Sequence, residues 1–412
     1  MLFINYFNQV RWLATIILIL TVTITAFPQS TKEPRVFILE PAALQGAAQQ
    51  IKAGDATLTA AYKNLIADAD KALQAGPFTV MHKQVPPPSG NKHDYMSVGP
   101  YWWPDPKKPD GLPYIRRDGE VNPERAKNGD NDELKHLQDA ICTLAYAYYF
   151  SQNEKYAAHA TQLIRTWFLD EATRMNPNLN YGQAIPGITQ GRGIGIIDTH
   201  YFPYLTDAVG LLAGSKAWRP ADQQGLEQWF GQFLKWLQES PLGKDEADEH
   251  NNHGTWYDVQ VVTFALFTGQ KDLAKQILEN VKTQRIATQL QPNGAQPHEL
   301  ARTLSFNYSV MNLQAFFDLA SLGKHAGVDL WHYTTPDGKG IKPAIDWFLP
   351  YINGTQPWQH QQIKSIDFSL ALPLLLEAAR QYRDPQYAAA IAKIPAAGKA
   401  GNKTYLFNPL KK

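Results

Sequence analysis

Two stretches of this chain carry residue types that can do chemistry together. Asn251-Asn252-His253-Gly254-Thr255-Trp256-Tyr257-Asp258 offers an amide and an imidazole, and the stretch from His298 to Tyr308 adds a guanidinium at Arg302 and a phenol at Tyr308. An imidazole, with an ordinary pKa of about 6.5, takes protons near neutrality, and a phenol at about 10 is a natural proton donor. Asn252 can donate hydrogen bonds, and Arg192 or Arg302 can supply charge, to a carboxylate on which negative charge is building. The set suits removal of a proton from carbon beside a carboxylate, followed by protonation of a departing sugar oxygen. In a polyuronate these are the C5 proton and O4. Arg302 and Tyr308 are 308 − 302 = 6 positions apart, so contact between them requires a turn. If the guanidinium reached the phenolic oxygen, the phenol pKa would fall.

Each of these residues also has a plainer reading. Asn251 and Asn252 precede the apolar run Val259 to Phe267 and fit a helix cap. His250 and His253 are spaced to face one side of a helix and bind metal, but no third ligand follows at a fixed spacing, and no metal or cofactor is expected. Tyr308 stands before Val310, Leu313, Phe316 and Phe317, as a core tyrosine would, and Arg302 can pair with Glu299 at a surface. Tyr101-Trp102-Trp103 serves equally as a hydrophobic plug or a sugar platform, and His93 and His200 lie unassigned in polar loops.

The elements that must position these groups are helical. Leu134, Leu137, Ile141, Leu144 and Tyr148 fall on one helix face, as do Leu226, Trp229, Phe230, Phe233 and Leu237. A faint recurrence runs through Phe150 to Ala157, Phe267 to Ala274 and Tyr382 to Ala388, each time a helix end, a short polar turn and a new helix. This predicts an all-α fold, a toroid or barrel of helical hairpins, over a Rossmann or β-sandwich architecture. An irregular all-α domain also fits. Two long segments interrupt the pattern: Val85 to about Pro123, rich in proline and aromatics, and Asn176 to His200, rich in glycine. Loops this long inside a compact domain are usually functional, and these are expected to wall a groove. The glycines of Gln190-Gly191-Arg192-Gly193-Ile194-Gly195 would let backbone approach a ligand, though without a preceding strand they do not make a dinucleotide site.

Composition narrows the partners. The chain has 412 residues and is 44% hydrophobic, enough for a large core, and its net charge of +1 gives no global attraction to nucleic acid or anionic membrane. An acidic ligand must therefore meet a local cluster of cations. At the N-terminus Arg11 precedes an apolar run from Trp12 to Leu20 that fades through threonines to Ala26. It is shorter than the roughly 20 residues a spanning helix needs and reads as a secretory signal over residues 1–28, cleaved between Ala26 and Ser30. A single domain over 29–412, exported to the periplasm or medium without stable membrane insertion, is the expectation. Cys142 is the only cysteine, so no internal disulfide can form.

The segments around Tyr101-Trp102-Trp103-Pro104-Asp105-Pro106, Asn176 to Asp198, Asn251 to Asp258 and Arg302 to Tyr308 together resemble the bacterial alginate lyase superfamily domain. Within it the chain looks closer to the glucuronan and alginate lyases of polysaccharide lyase family 38 than to the mannuronate lyases of family 5. The resemblance implies an (α/α) toroid, an acidic polysaccharide as substrate and β-elimination without an obligatory metal. It places the catalytic Asn-His pair on Asn252 and His253, the catalytic tyrosine on Tyr308 and an arginine on Arg302. It also turns Gln183, Arg192 and His200 toward substrate. Tyr95 and Trp103 are candidates for a lid or stacking subsites, and Trp256 for substrate binding. For mannuronate or glucuronate, C5–H and O4 leave from one side, and Tyr308 can serve as base and then acid. For guluronate they leave from opposite sides, and His253 is the better base. Two other functions fit the residues: an (α/α)-barrel glycoside hydrolase using Asp258 and Glu299, and a non-catalytic periplasmic polyuronate-binding protein.

Overall fold

Helices account for most of the architecture, and their burial tells which of them are inside. The computed structural model describes residues 33–410, so the expected signal at 1–28 lies outside the described residues. These described residues form one compact unit. Along it, α1 (Pro41–Lys52) and α2 (Ala56–Ala72) lead into a long irregular segment with three short strands, β1 (Met96–Val98), β2 (Trp102–Trp103) and β3 (Ile115–Arg116). Then come α3 (Asn131–Ser151), α4 (Glu154–Ile164), the strand β4 (Tyr181–Ala184), α5 (Phe202–Leu212), α6 (Pro220–Glu239) and α7 (Pro241–Ala247). The chain continues through α8 (Asn252–Phe267), α9 (Lys271–Val281), the short α10 (Ala287–Gln289) and α11 (Pro297–Leu300), and the long α12 (Ser305–Ala326). It closes with α13 (Ile341–Asp346), α14 (Leu349–Ile352), α15 (Leu372–Tyr382), α16 (Pro385–Lys393) and the short α17 (Ala396–Lys399). No helix among the described residues is long and apolar enough to cross a membrane.

The helices α3, α5, α8, α12 and α15 touch one another in succession and form an inner layer. Outside it, α4 packs on α3, α6 on α8, α9 on α8 and α12, and α16 on α15. Sequence explains the layering. Every residue of α8 from Gly254 to Phe267 is buried, so the helix has no solvent face and can only be internal. Its partner α9 buries just Ala274, Leu278 and Val281, one stripe that faces inward. The faces expected at Leu134 to Tyr148 and Leu226 to Leu237 are likewise buried. The result is the (α/α) toroid of helical hairpins.

The recurring turns are where the sequence places them: α3 to α4, α8 to α9 and α15 to α16. Each is made by a residue in the left-handed region, Gln152 at φ 56°, Gly269 at φ 81° and Arg383 at φ 53°. Asn153 and Asp384 then cap the outgoing helices by accepting from backbone N–H groups two residues on.

The two long segments are ordered and tied together. β1 pairs in parallel with β4, and β2 pairs with β3 as an antiparallel ribbon with Trp102 opposite Arg116. The first segment is anchored below by Lys83, whose ammonium forms a buried ion pair with Asp130 at 3.0 Å. The glycines of the second segment serve packing of protein on protein and not approach to a ligand. A Cβ on Gly191 would lie 2.0 Å from the Asn180 carbonyl oxygen, and one on Gly195 would lie 2.3 Å from that of Gly182.

Candidate active site

A cavity of about 550 Å³ opens at one end of the inner helices. Asn131, Lys135 and Gln138 reach it from the first turns of α3, His200 and Tyr201 from just before α5, Asn252 and His253 from the start of α8, and Tyr308 and Met311 from the first turns of α12. These neighbouring helices thus all direct their N-termini at one space. Each such end carries about half a positive charge from its unpaired N–H groups, which favours an anion. Arg116, Arg125, Lys135, Arg192 and Arg302 also line the cavity, against Asp132 and Asp198. A chain of nearly zero net charge therefore concentrates positive charge in one place.

Tyr308 sits in the first turn of α12, directly after the turn that carries Arg302. Its hydroxyl lies 2.5 Å from that of Tyr101, which arrives from the first long segment. The guanidinium of Arg302 stands over the Tyr308 ring, 3.8 Å from its centroid, a cation–π contact. It is held there by Asp118, at 2.7 Å and 3.2 Å from Arg302 Nη2 and Nε. Burial pushes Asp118 up, but hydrogen bonds from Arg302 and Thr303 and the nearby guanidinium charges outweigh it and bring the carboxyl down to about 2. The plainer pairing of Arg302 with Glu299 does not occur. The phenol of Tyr308 is raised well above its ordinary value, by burial first and by Tyr101 next, with Arg302 only partly opposing. The expected lowering by Arg302 is thereby corrected: the cation faces the ring, and Tyr308 rests protonated.

Asn251 caps α8 by accepting from the His253 N–H, so the capping reading and the catalytic reading fall on adjacent residues. Glu299, buried on α11, accepts from both the backbone N–H of Asn252 at 2.7 Å and its side-chain Nδ2 at 2.8 Å. This clamp fixes the amide while leaving its second N–H hydrogen for a ligand. His253 Nδ1 donates to Glu246 Oε1 at 2.8 Å, which leaves Nε2 as the ring nitrogen for the cavity. Burial works against protonation of His253, yet Glu246, Glu249 and Glu299 together raise its pKa above the ordinary value. His200 is the opposite case: burial, aided by nearby His253, brings it down to about 4, and its Nδ1 donates to the Ile197 carbonyl oxygen. It is neutral under all but acid conditions.

The wall opposite is a polar relay. Arg192 donates from Nε to the Gln183 carbonyl oxygen at 3.0 Å and from Nη2 to Gln183 Oε1 at 2.9 Å. Gln183 in turn donates to Asp198, which also accepts from Tyr95 and Ser97. The backbone of Gln183 is left-handed, φ 48°, a conformation that costs a non-glycine residue energy and is kept where the surroundings enforce it. Both acceptors of Arg192 are neutral, so its charge is not cancelled by its anchors.

The structure brings Tyr308, His253, Asn252, Arg302, Arg192, Gln183 and His200 to the one cavity. It assigns other parts to the remaining candidates. Tyr95 does border the cavity, but it is 0% exposed and donates its hydroxyl to Asp198, which makes it a buried support for that wall and not a lid or stacking platform. Trp103 turns away from the cavity to donate to the Glu120 carbonyl oxygen under Arg117, and Trp102 lines the space in its place. Trp256 is 2% exposed and packs edge-on against His200 without lining the cavity. The carboxylates offered for hydrolysis are engaged elsewhere, Asp258 with Arg285 and Glu299 with Asn252, and neither lines the cavity. No cluster of three or more His, Cys, Asp or Glu that could hold a metal occurs among the described residues. Sequence reasoning did not single out Asp118, Asp198 or Glu246. Their partners lie across helix breaks or far along the chain, and no spacing marks them.

The sequence pattern of the family described as alginate lyase matches residues 79–358. Among solved structures, an alginate lyase from Bacteroides ovatus is 41% identical, with 92% of this chain and 100% of that chain covered and a TM-score of 0.87. Alginate lyase A1-III from Sphingomonas species A1 shares the fold at 15% identity, covering 91% of this chain and 98% of that chain, with a TM-score of 0.57. A variant of alginate lyase A1-III complexed with tetrasaccharide aligns at 14% identity over 94% and 99% of the two chains, with a TM-score of 0.59. Comparison with curated proteins gives no match.

Proposed function

Because the chain belongs to the alginate lyase family and is a polysaccharide lyase, we propose that it cleaves a 1,4-linked polyuronate, alginate or glucuronan, by β-elimination. The observation that carries this reading is the meeting of a fixed amide, an open imidazole nitrogen and a protonated phenol in one cation-rich cavity. Asn252 and the guanidinium groups of Arg192 and Arg302 meet the uronate carboxylate. The C5–H bond breaks toward the base and its electron pair moves into the enolate. The C4–O4 bond then breaks, and O4 takes a proton from an acid. Tyr308, protonated at rest, is suited to be that acid. For guluronate, His253 Nε2 is the base. For mannuronate or glucuronate, Tyr308 first loses its phenolic proton to solvent, then takes the C5 proton and passes it to O4, with the Tyr101 hydroxyl beside it. Export to the periplasm or medium is part of the proposal, supported by the run from Arg11 to Ala26.

The test is to incubate the purified protein with mannuronate-rich and guluronate-rich alginate, glucuronan and a neutral glucan, following ultraviolet absorbance and product size. New ultraviolet-absorbing ends on at least one polyuronate, and none from the glucan, are expected. Shortened products with saturated ends would show a hydrolase, and polymers of unchanged length would show a binding protein.

A further inference from the structure

We propose that Glu246 is a positioning residue for His253, fixing its ring with the proton on Nδ1 and Nε2 free to accept, and holding the imidazolium that forms there. The proposal rests on the lyase reading for the origin of the accepted proton. Its geometric basis is independent of that reading. Glu246 lies near the end of α7, its side chain 1% exposed, with Oε1 2.8 Å from His253 Nδ1. Its other oxygen, Oε2, is buried without a hydrogen-bond partner, and the carboxylate meets no backbone N–H among the described residues. A residue that only held the α7 turn in place would be bonded to that turn. Here the single hydrogen bond of a buried carboxylate goes to the imidazole, so the interaction that offsets its charge is concentrated on His253.

The other groups facing His253 do not replace it. Glu249, on the turn before α8, and Glu299, on α11, add negative potential, but Glu299 is bonded to Asn252 and Glu249 accepts from Asn251. His200, before α5, is neutral except in acid and spends Nδ1 on the Ile197 carbonyl oxygen. Arg302 is drawn to Asp118. Among the described residues, only Glu246 touches the ring nitrogen that decides the tautomer. The proton count closes: the C5 proton moves to Nε2 and gives an imidazolium against the Glu246 carboxylate, O4 leaves with the Tyr308 proton, and both residues are restored by exchange with solvent.

The experiment uses the full chain as wild type, Glu246→Gln and Glu246→Asp, with histidine-selective nitrogen-15 labelling and His253→Gln to identify the ring signals. In the wild type, His253 should carry its proton on Nδ1 when neutral and titrate above the ordinary histidine value. In Glu246→Gln the ring should titrate at lower pH and lose the fixed tautomer, and Glu246→Asp should restore both in part. On guluronate-rich alginate, kcat of Glu246→Gln should fall by about 100-fold, the low end of what a positioned base contributes. KM should stay within about twofold, and the acid limb of the pH profile should move to lower pH. Unchanged ring signals in Glu246→Gln overturn the proposal whatever the protein cleaves. Displaced ring signals in a protein whose wild type cleaves no polyuronate overturn the lyase reading and leave the Glu246–His253 pairing established.

Discussion

Arg302 sits over the face of the Tyr308 ring, 3.8 Å from its centroid, and is pinned there by Asp118. The cation therefore orients the phenol without drawing off its proton. Burial and the neighbouring Tyr101 raise the phenol, and Arg302 opposes them only in part. Tyr308 therefore rests protonated, with the Tyr101 hydroxyl as its neighbour.

Tyr308→Phe removes only one hydroxyl and should abolish elimination on every polyuronate, a loss of at least about 100-fold in kcat. Ultraviolet product assays on each polymer give the answer. Near-wild-type formation of the conjugated double bond would rule out Tyr308 as the proton carrier.

Asp118→Asn should weaken the Arg302 clamp, and the effect should depend on pH in a defined direction. A carboxyl held at about 2 in the folded chain, below its ordinary value, stabilises the fold above that ordinary value and loses this as pH falls toward 2. The Tm difference between wild type and Asp118→Asn should thus be full at about pH 6 and shrink through the acid range. A difference independent of pH would mean that the pair contributes nothing electrostatic.

Arg192→Ala should raise KM by about 10- to 100-fold, the value of one charge-assisted hydrogen bond to a carboxylate. The dependence of KM on ionic strength should become shallower, since one screened cation is gone. Kinetics at low and high salt separate this from a general loss of fold, which would reduce active enzyme without changing the salt slope.

Gly254→Ala tests the packing behind the Asn-His pair. The added methyl would lie 1.9 Å from the Glu249 carbonyl oxygen and 2.5 Å from Arg285 Nη1, within the buried Arg285–Asp258 network. Overpacking of this kind costs about 1–3 kcal/mol. Thermal unfolding should show a lowered Tm, and an unchanged Tm would mean that the turn before α8 yields easily.

The toroid was legible because helix periodicity and turn composition are local. The hairpin turns at Gln152, Gly269 and Arg383, the Asn251 cap and the buried faces of α3 and α6 all lie where spacing alone puts them. The inner position of α8 also shows in its stretch from Val259 to Phe267, apolar except for Gln260 and Thr263. The misassigned residues were those decided by the direction of a side chain in irregular backbone. Trp102 and Trp103 are neighbours on a strand, so they point to opposite faces, and sequence alone does not say which faces the cavity. Trp256 follows the Asn-His pair, but on a helix buried all round it has no open face. Asp118 and Arg302 meet across 184 residues, and no local pattern records such a contact.

The groups that line the cavity come from the opening turns of α3, α8 and α12 and from the segments between helices, while the apolar contacts of those helices continue well beyond them. Substitutions at the mouth can therefore change what is bound or how protons move at little expense to folding. Selection, or an engineer, can retune polymer preference on a scaffold left intact. The exceptions are the residues that bridge both regions, Glu299 and Gly254, where altering the chemistry also disturbs the frame.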